Sequence, residues 1–189
     1  MADLDLSLNV AKQVDAMRKV GGFPSEEALG LLAAQIGQAF KGRKDEVAIL
    51  QVAAEGKMLS FIYPVKFQKI GAIPLTSSHS LAAKTIREKR GEIVNNFSVY
   101  KHPTVFESVD LSAEEKAAPI QKIVSSPMIV EGKVVGVIQL SRKGKAGDPI
   151  GPDFTPQDLA ELNTVGTIIG KYIVTLPPVP TRPGQPVKK

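Results

Sequence analysis

The sequence predicts an α/β protein of the α+β kind: a three-layer α/β/α sandwich with a central six-stranded, mainly antiparallel sheet. Three observations lead there. Helical and strand periodicities follow the order α-α-β-β-β-α-β, then a long connection, then β-β-α. The hairpin SSPMIVEGKVVGVIQLSRK (125–143) is apolar on both faces, so both must be covered. The last helix carries Leu159, Leu162, Val165, Ile169, Ile173 and Leu176, a stripe wide enough to cover a sheet and meet another helix.

Each element has a local reason. Val10, Val14 and Met17 recur at helical spacing, so residues 4–20 read as a helix stopped by Gly21-Gly22. Ser25 is placed to cap a second helix, with Glu26 and Glu27 at the positive end of its dipole and Leu29, Leu32, Ala33, Ile36 and Phe40 as its buried stripe. VAILQVA (47–53) and MLSFIYP (58–64) flank the turn Ala54-Glu55-Gly56-Lys57 and read as a hairpin. Residues 71–75 supply a third strand. LAAKTIREKR (81–90) is helical, capped by Ser78 or Ser80 and stopped by Gly91, and EIVNNF (92–97) is a short strand. Residues 97–119 form a long connection, the kind that is often functional, with a capping box at Ser112–Glu115 that predicts a helical turn or two over 113–118. Thr155-Pro156-Gln157-Asp158 opens the last helix. The divisions are therefore an N-terminal helix (1–23), the domain proper (24–176) and a Pro-rich flexible tail (177–189).

Pro127 lies inside an apolar strand. A two-residue turn at Glu131-Gly132 makes paired residue numbers add to 263, which sets Pro127 opposite Gly136 at a non-bonded pair. Its missing N–H then points away from strand 133–141 and would interrupt a neighbour's ladder, so a bulge, gap or sheet edge is expected there. This register puts Ser125 with Gly136, Ile138 and Leu140 on one face, and Ser126 with Val137 and Gln139 on the other.

Composition excludes several classes. With no Cys there is no disulfide, zinc-thiolate site or Cys nucleophile. No apolar run reaches the ~20 residues of a membrane span, and MADLDLSLNV lacks a basic signal-peptide start, so a cytoplasmic protein without membrane contact is expected. Of the net charge of +5, three charges sit in the tail, leaving +2 for residues 1–176. KGRK (41–44), REKR (87–90) and SRKGKAG (141–147) are at element ends and read as solvated, so no nucleic-acid partner is expected. No phosphate-binding glycine loop, serine-nucleophile motif or spaced metal cluster occurs, so neither a metal nor another cofactor is expected.

The runs PIQKIVSSPMIVEGKVVGVIQLSRK and FTPQDLAELNTVGTIIGKYI, with IPLTSSHSLAAKTIREKRGEIVNN before them, resemble the GAF domain superfamily over roughly residues 25–176. The resemblance implies terminal helices on one sheet face, a small-molecule pocket on the other under the middle helix and long loop, regulation rather than catalysis, and dimerisation through the terminal helices. The motif of cyclic-nucleotide-binding members is matched at Lys143, Phe154 and Asp158, but Arg142 and Leu159 depart from it. Bilin-binding members and the methionine-sulfoxide reductases of the superfamily use cysteine, which this chain lacks.

The candidate pocket residues are Thr76, Ser77, Ser78, His79 and Ser80, whose hydroxyls and backbone N–H groups could face an anion at a helix start, and Asn95, Asn96 and Tyr100 after the short strand. Ser126 joins them through its expected face with Gln139. Plain helix capping and turn formation are the simpler readings of the same residues. Neither His79 nor His102 has the company of a haem or metal site. Two functions remain: a stand-alone sensory domain binding a small molecule between the sheet and the 76–109 region, or a ligand-free dimeric adaptor with Phe67, Phe97, Tyr100 and Phe106 filling the pocket. The tail could offer a protein partner a Pro-rich ligand.

Overall fold

The computed structural model describes residues 2–53, 55–69, 72–97, 119–145, 147–177 and 179. Helices α1 (Ala2–Val20) and α2 (Glu26–Ala39) precede strands β1 (Val47–Ala53), β2 (Met58–Tyr63) and β3 (Ala72–Pro74). Helix α3 (Leu81–Glu88), β4 (Glu92–Val94), β5 (Ile120–Val130), β6 (Lys133–Lys143) and α4 (Pro156–Ile173) follow. The six strands pair antiparallel in the order β3-β2-β1-β6-β5-β4. The helical turns expected at 113–118 lie outside the described residues.

Sequence alternation sorts the core into two sides. Val47 and Ile49 of β1, Ile62 of β2, Val124 and Met128 of β5, and Ile138 and Leu140 of β6 pack with α1, α2 and α4. Leu50, Leu59, Ile73 and Val137 face the other way, against Ala82, Ala83 and Ile86 of α3. The three-layer arrangement is therefore present, with three helices on one face and α3 on the other. Leu176 and Val179 are buried in the helix-side cluster, so the Pro-rich segment starts attached to the core. Among the described residues no helix is long and apolar enough to cross a membrane.

The β5–β6 hairpin corrects one expectation. Glu131 (φ 49°) and Gly132 (φ 76°) form the two-residue turn with both residues left-handed, as type I′ requires. Val130↔Lys133 and Ile129↔Val134 keep the expected register. The next pair is Met128↔Gly136, so Val135 is an extra residue, and Pro127 pairs with Val137 rather than Gly136. The physical cause lies across the sheet. A Cβ on Gly136 would stand 2.2 Å from the Leu50 carbonyl oxygen and 2.5 Å from Met128 Cε. Only a bare α-carbon lets β6 pass β1 that closely, and the bulge delivers Gly136 to that point.

This one-residue shift exchanges the faces of β6 relative to β5. Ser126 now shares its side with Gly136, Ile138 and the terminal helices, while Ser125 shares its side with Val137 and Gln139. The other part of the Pro127 expectation holds. Alternation on β5 still points position 127 away from β6, and β4 pairs only with residues 123–125. Among the described residues the ladder on that side has already ended where the N–H is missing.

Candidate functional site

On the α3 side of the sheet, an open cleft of about 70 Å³ lies between the start of α3 and β4, lined by Ser78, His79, Ser80, Leu81, Lys84, Glu92, Val94 and Phe97. Ser80 is extended (φ −94°, ψ 118°), and its Oγ accepts from the Ala83 N–H at 3.2 Å, so it caps α3. Ser78 and His79 are exposed at the rim. Lys84, one turn after Ser80, reaches across to β4 and donates to Glu92 Oε2 at 2.7 Å. Val94 and Phe97 supply the apolar wall. The cleft thus combines an exposed imidazole, serine groups at a helix start and an opposite-charge pair over an apolar floor. It could hold a small polar or ionic group, and its described volume is well below the ~300 Å³ of a drug-sized pocket.

The preceding turn is held from below. Arg87 of α3 donates to the carbonyls of Leu75 (2.6 Å) and Ser77 (2.8 Å). Deeper on the same side runs a closed hydroxyl chain. Gln139 Nε2 donates to Ser125 Oγ at 3.1 Å, Ser125 and Thr85 hydroxyls meet at 2.7 Å, and Thr85 Oγ1 donates to the Leu81 carbonyl at 2.9 Å. Ser125 and Thr85 are buried and bonded to each other, so the chain fastens α3 to the sheet.

Of the residues singled out from sequence, Ser78, His79 and Ser80 come together in the cleft. Thr76, Ser77 and the exposed Asn96 are not among its described lining. Asn95 turns away: its Nδ2 donates to the Phe154 carbonyl (3.0 Å) and its Oδ1 accepts the Phe154 N–H (2.9 Å). Tyr100 and His102 lie outside the described residues. Ser126 is corrected: its hydroxyl donates to Asn163 Oδ1 of α4 at 2.6 Å, on the helix-covered side, because the bulge reverses the face relation that had paired it with Gln139. Lys84 and Glu92 were missed. Their signals were a cation one helical turn after the Ser80 cap and an acid opening the next strand.

The departing position, Arg142, is buried at the far end of β6 with 4% exposure. Its guanidinium lies 4.5 Å from the centre of the Phe154 ring and donates from Nη2 to the Phe40 carbonyl at the end of α2. Burial pulls its pKa down, opposed by the attraction of Glu46 and Asp158. Glu46 accepts from the backbone N–H groups of Arg43 and Lys143, both at 2.9 Å. The matched residues also have structural work. Lys143 Nζ donates to the Asp45 carbonyl at 2.6 Å, and Asp158 forms a reciprocal capping box with Thr155.

A family profile for the GAF domain matches residues 24–174. No curated protein matches the chain in sequence. Among solved structures, it is similar to the GAF domain of an Acinetobacter phosphoenolpyruvate-protein phosphotransferase, with 15% identity over 90% of this chain and 92% of that one and a TM-score of 0.64. The corresponding GAF domain from Coxiella burnetii gives 12% identity over 92% and 94%, with a TM-score of 0.65. A free methionine-R-sulfoxide reductase from Neisseria meningitidis, solved with its substrate, gives 15% identity over 92% and 89%, with a TM-score of 0.57. At these identities the likeness is one of fold. The sheet order, the helix layers and the matched 24–174 segment agree, and the chain belongs to the GAF domain family.

Proposed function

We propose that this is a regulatory GAF domain that takes a small polar ligand in the cleft between α3 and β4 and signals through its layer of terminal helices. The observation that carries the reading is the convergence of Ser78, His79, Ser80, Lys84 and Glu92 around one opening beside α3. The helix layer supports a pairing role: Leu8 of α1 (51% exposed), Leu31 of α2 (53%) and Val174 after α4 (51%) offer apolar surface. A non-catalytic reading fits the residues. Free methionine-R-sulfoxide reductases are among the similar structures, but the family ties that chemistry to cysteine, and this sequence has none.

The test is a thermal-shift screen of the full chain against nucleotides, amino acids and small organic anions, with Lys84→Met as the control. A ligand that raises Tm by binding only the folded state should lose most of that shift in Lys84→Met. The absence of a shift across the screen would favour the second reading, a ligand-free dimeric adaptor. One observation speaks for it directly: the described cleft is small, about 70 Å³, and its strongest charges already satisfy each other.

A further inference from the structure

The wall of the cleft and the helix layer meet at one residue. Asn95 lies between Val94 and Phe97, which both line the cleft, yet its amide is spent elsewhere. It makes two opposed hydrogen bonds to the backbone of Phe154, 59 positions away, at 3.0 and 2.9 Å. Phe154 directly precedes Thr155, the N-cap of α4. Its ring lies on the buried Arg142 guanidinium, which donates to the Phe40 carbonyl where α2 ends. The guanidinium also lies against Gly42, just beyond: a Cβ there would stand 2.6 Å from Arg142 Nη1. The other end of β4 is also pressed on α4, since a Cβ on Gly91 would lie 2.5 Å from Leu159 Cδ1.

We infer that Asn95 is a positioning residue that couples the cleft wall to the start of α4 and the end of α2. A side-chain amide bonded to both backbone groups of one residue fixes position and rotation together, so β4 cannot shift or turn without moving Phe154. Phe154 cannot move without leaving the buried Arg142 guanidinium, which also donates to the Phe40 carbonyl, lies close to Gly42 and Gly151 and is attracted by Glu46 and Asp158. Displacement at Val94–Phe97 therefore reaches two helices of the terminal layer through one clasp. The coupling stands on these contacts; its use in signalling rests on the cleft reading above.

Hydrogen exchange on the full chain tests it without any ligand. Asn95→Ala should speed exchange at Asp158 and Leu159, both bonded to Thr155, and at Lys41 and Gly42, bonded within the end of α2. The expected change is about tenfold, equal to about 1.4 kcal/mol of local opening free energy. The Leu75 N–H, bonded to Lys57 at the far edge, should not change. Thr85→Val, which cuts the α3 chain and not the clasp, should leave the four amides alone. Asn95→Asp keeps the acceptor and loses the donor, so it should give a smaller effect in a more conservative background. Phe97→Leu should loosen Asp158 and Leu159 when Asn95 is present and add nothing in Asn95→Ala. Faster exchange confined to 92–97, the same pattern from Thr85→Val, or additive effects of Phe97→Leu would each overturn the proposal.

Discussion

Gly136 shows how much one missing side chain can decide. A methyl group there would collide with the Leu50 carbonyl, which cannot withdraw without opening the β1–β6 ladder, and would also displace Met128 Cε. Gly136→Ala should therefore cost about 3 kcal/mol, read as a lower urea midpoint at constant slope. Tyr172 makes a different kind of prediction. Its hydroxyl is buried with no hydrogen-bond partner among the described residues, and burial raises its pKa above the ordinary 10.0, with Arg18 pulling the other way. Burial raises Tyr63 as well. The sign follows from linkage: the unfolded chain releases these protons near pH 10 and the folded chain holds them. The contribution is thus complete below pH ~10 and is lost as pH rises through the folded values. Tyr172→Phe should change stability by less than about 1 kcal/mol at neutral pH and should flatten, without abolishing, the decline in urea midpoint as pH rises above about 10.

Among the elements, α4 has the most complete set of local signals. Thr155 caps it, Pro156 opens it, and Asp158 returns the capping bond. Thr155→Ala should cost about 1 kcal/mol by thermal or urea unfolding, and more exchange should appear in the first turn than in the last. These signals are short-range, which is why the start of α4, the Ser25 and Ser80 caps and the Glu131-Gly132 turn could be read from the chain. The bulge at Val135 could not. It answers the approach of a carbonyl on β1, and nothing within the hairpin announces that contact. Ser126 was misplaced for that reason alone, since a one-residue slip turns every later side chain to the other face. The role of Asn95 was hidden similarly, because an Asn after a strand suits a turn and its partner is 59 positions away. Lys84 and Glu92 have ordinary surface chemistry in sequence. They line the candidate cleft only because β4 is laid beside α3.

At the scale of the whole molecule, the three-helix layer leaves Leu8, Leu31 and Val174 half exposed, although its inner stripes are buried. If copies pair through this layer, light scattering should find a dimer, and Leu8→Glu with Leu31→Glu should give a monomer with an unchanged Tm. A monomeric wild-type chain would sink the pairing role. Pro127 bears on the same question from the sheet. Among the described residues no strand pairs with the outer side of β5 beyond β4, and a second molecule adding a strand would have to do so there. Pro127 presents no N–H along that side, so an incoming strand would meet a missing bond at its centre. The proline thus makes open-ended growth of the sheet from molecule to molecule unfavourable. If copies do pair, the helix layer is the surface where a closed pair can form and stop.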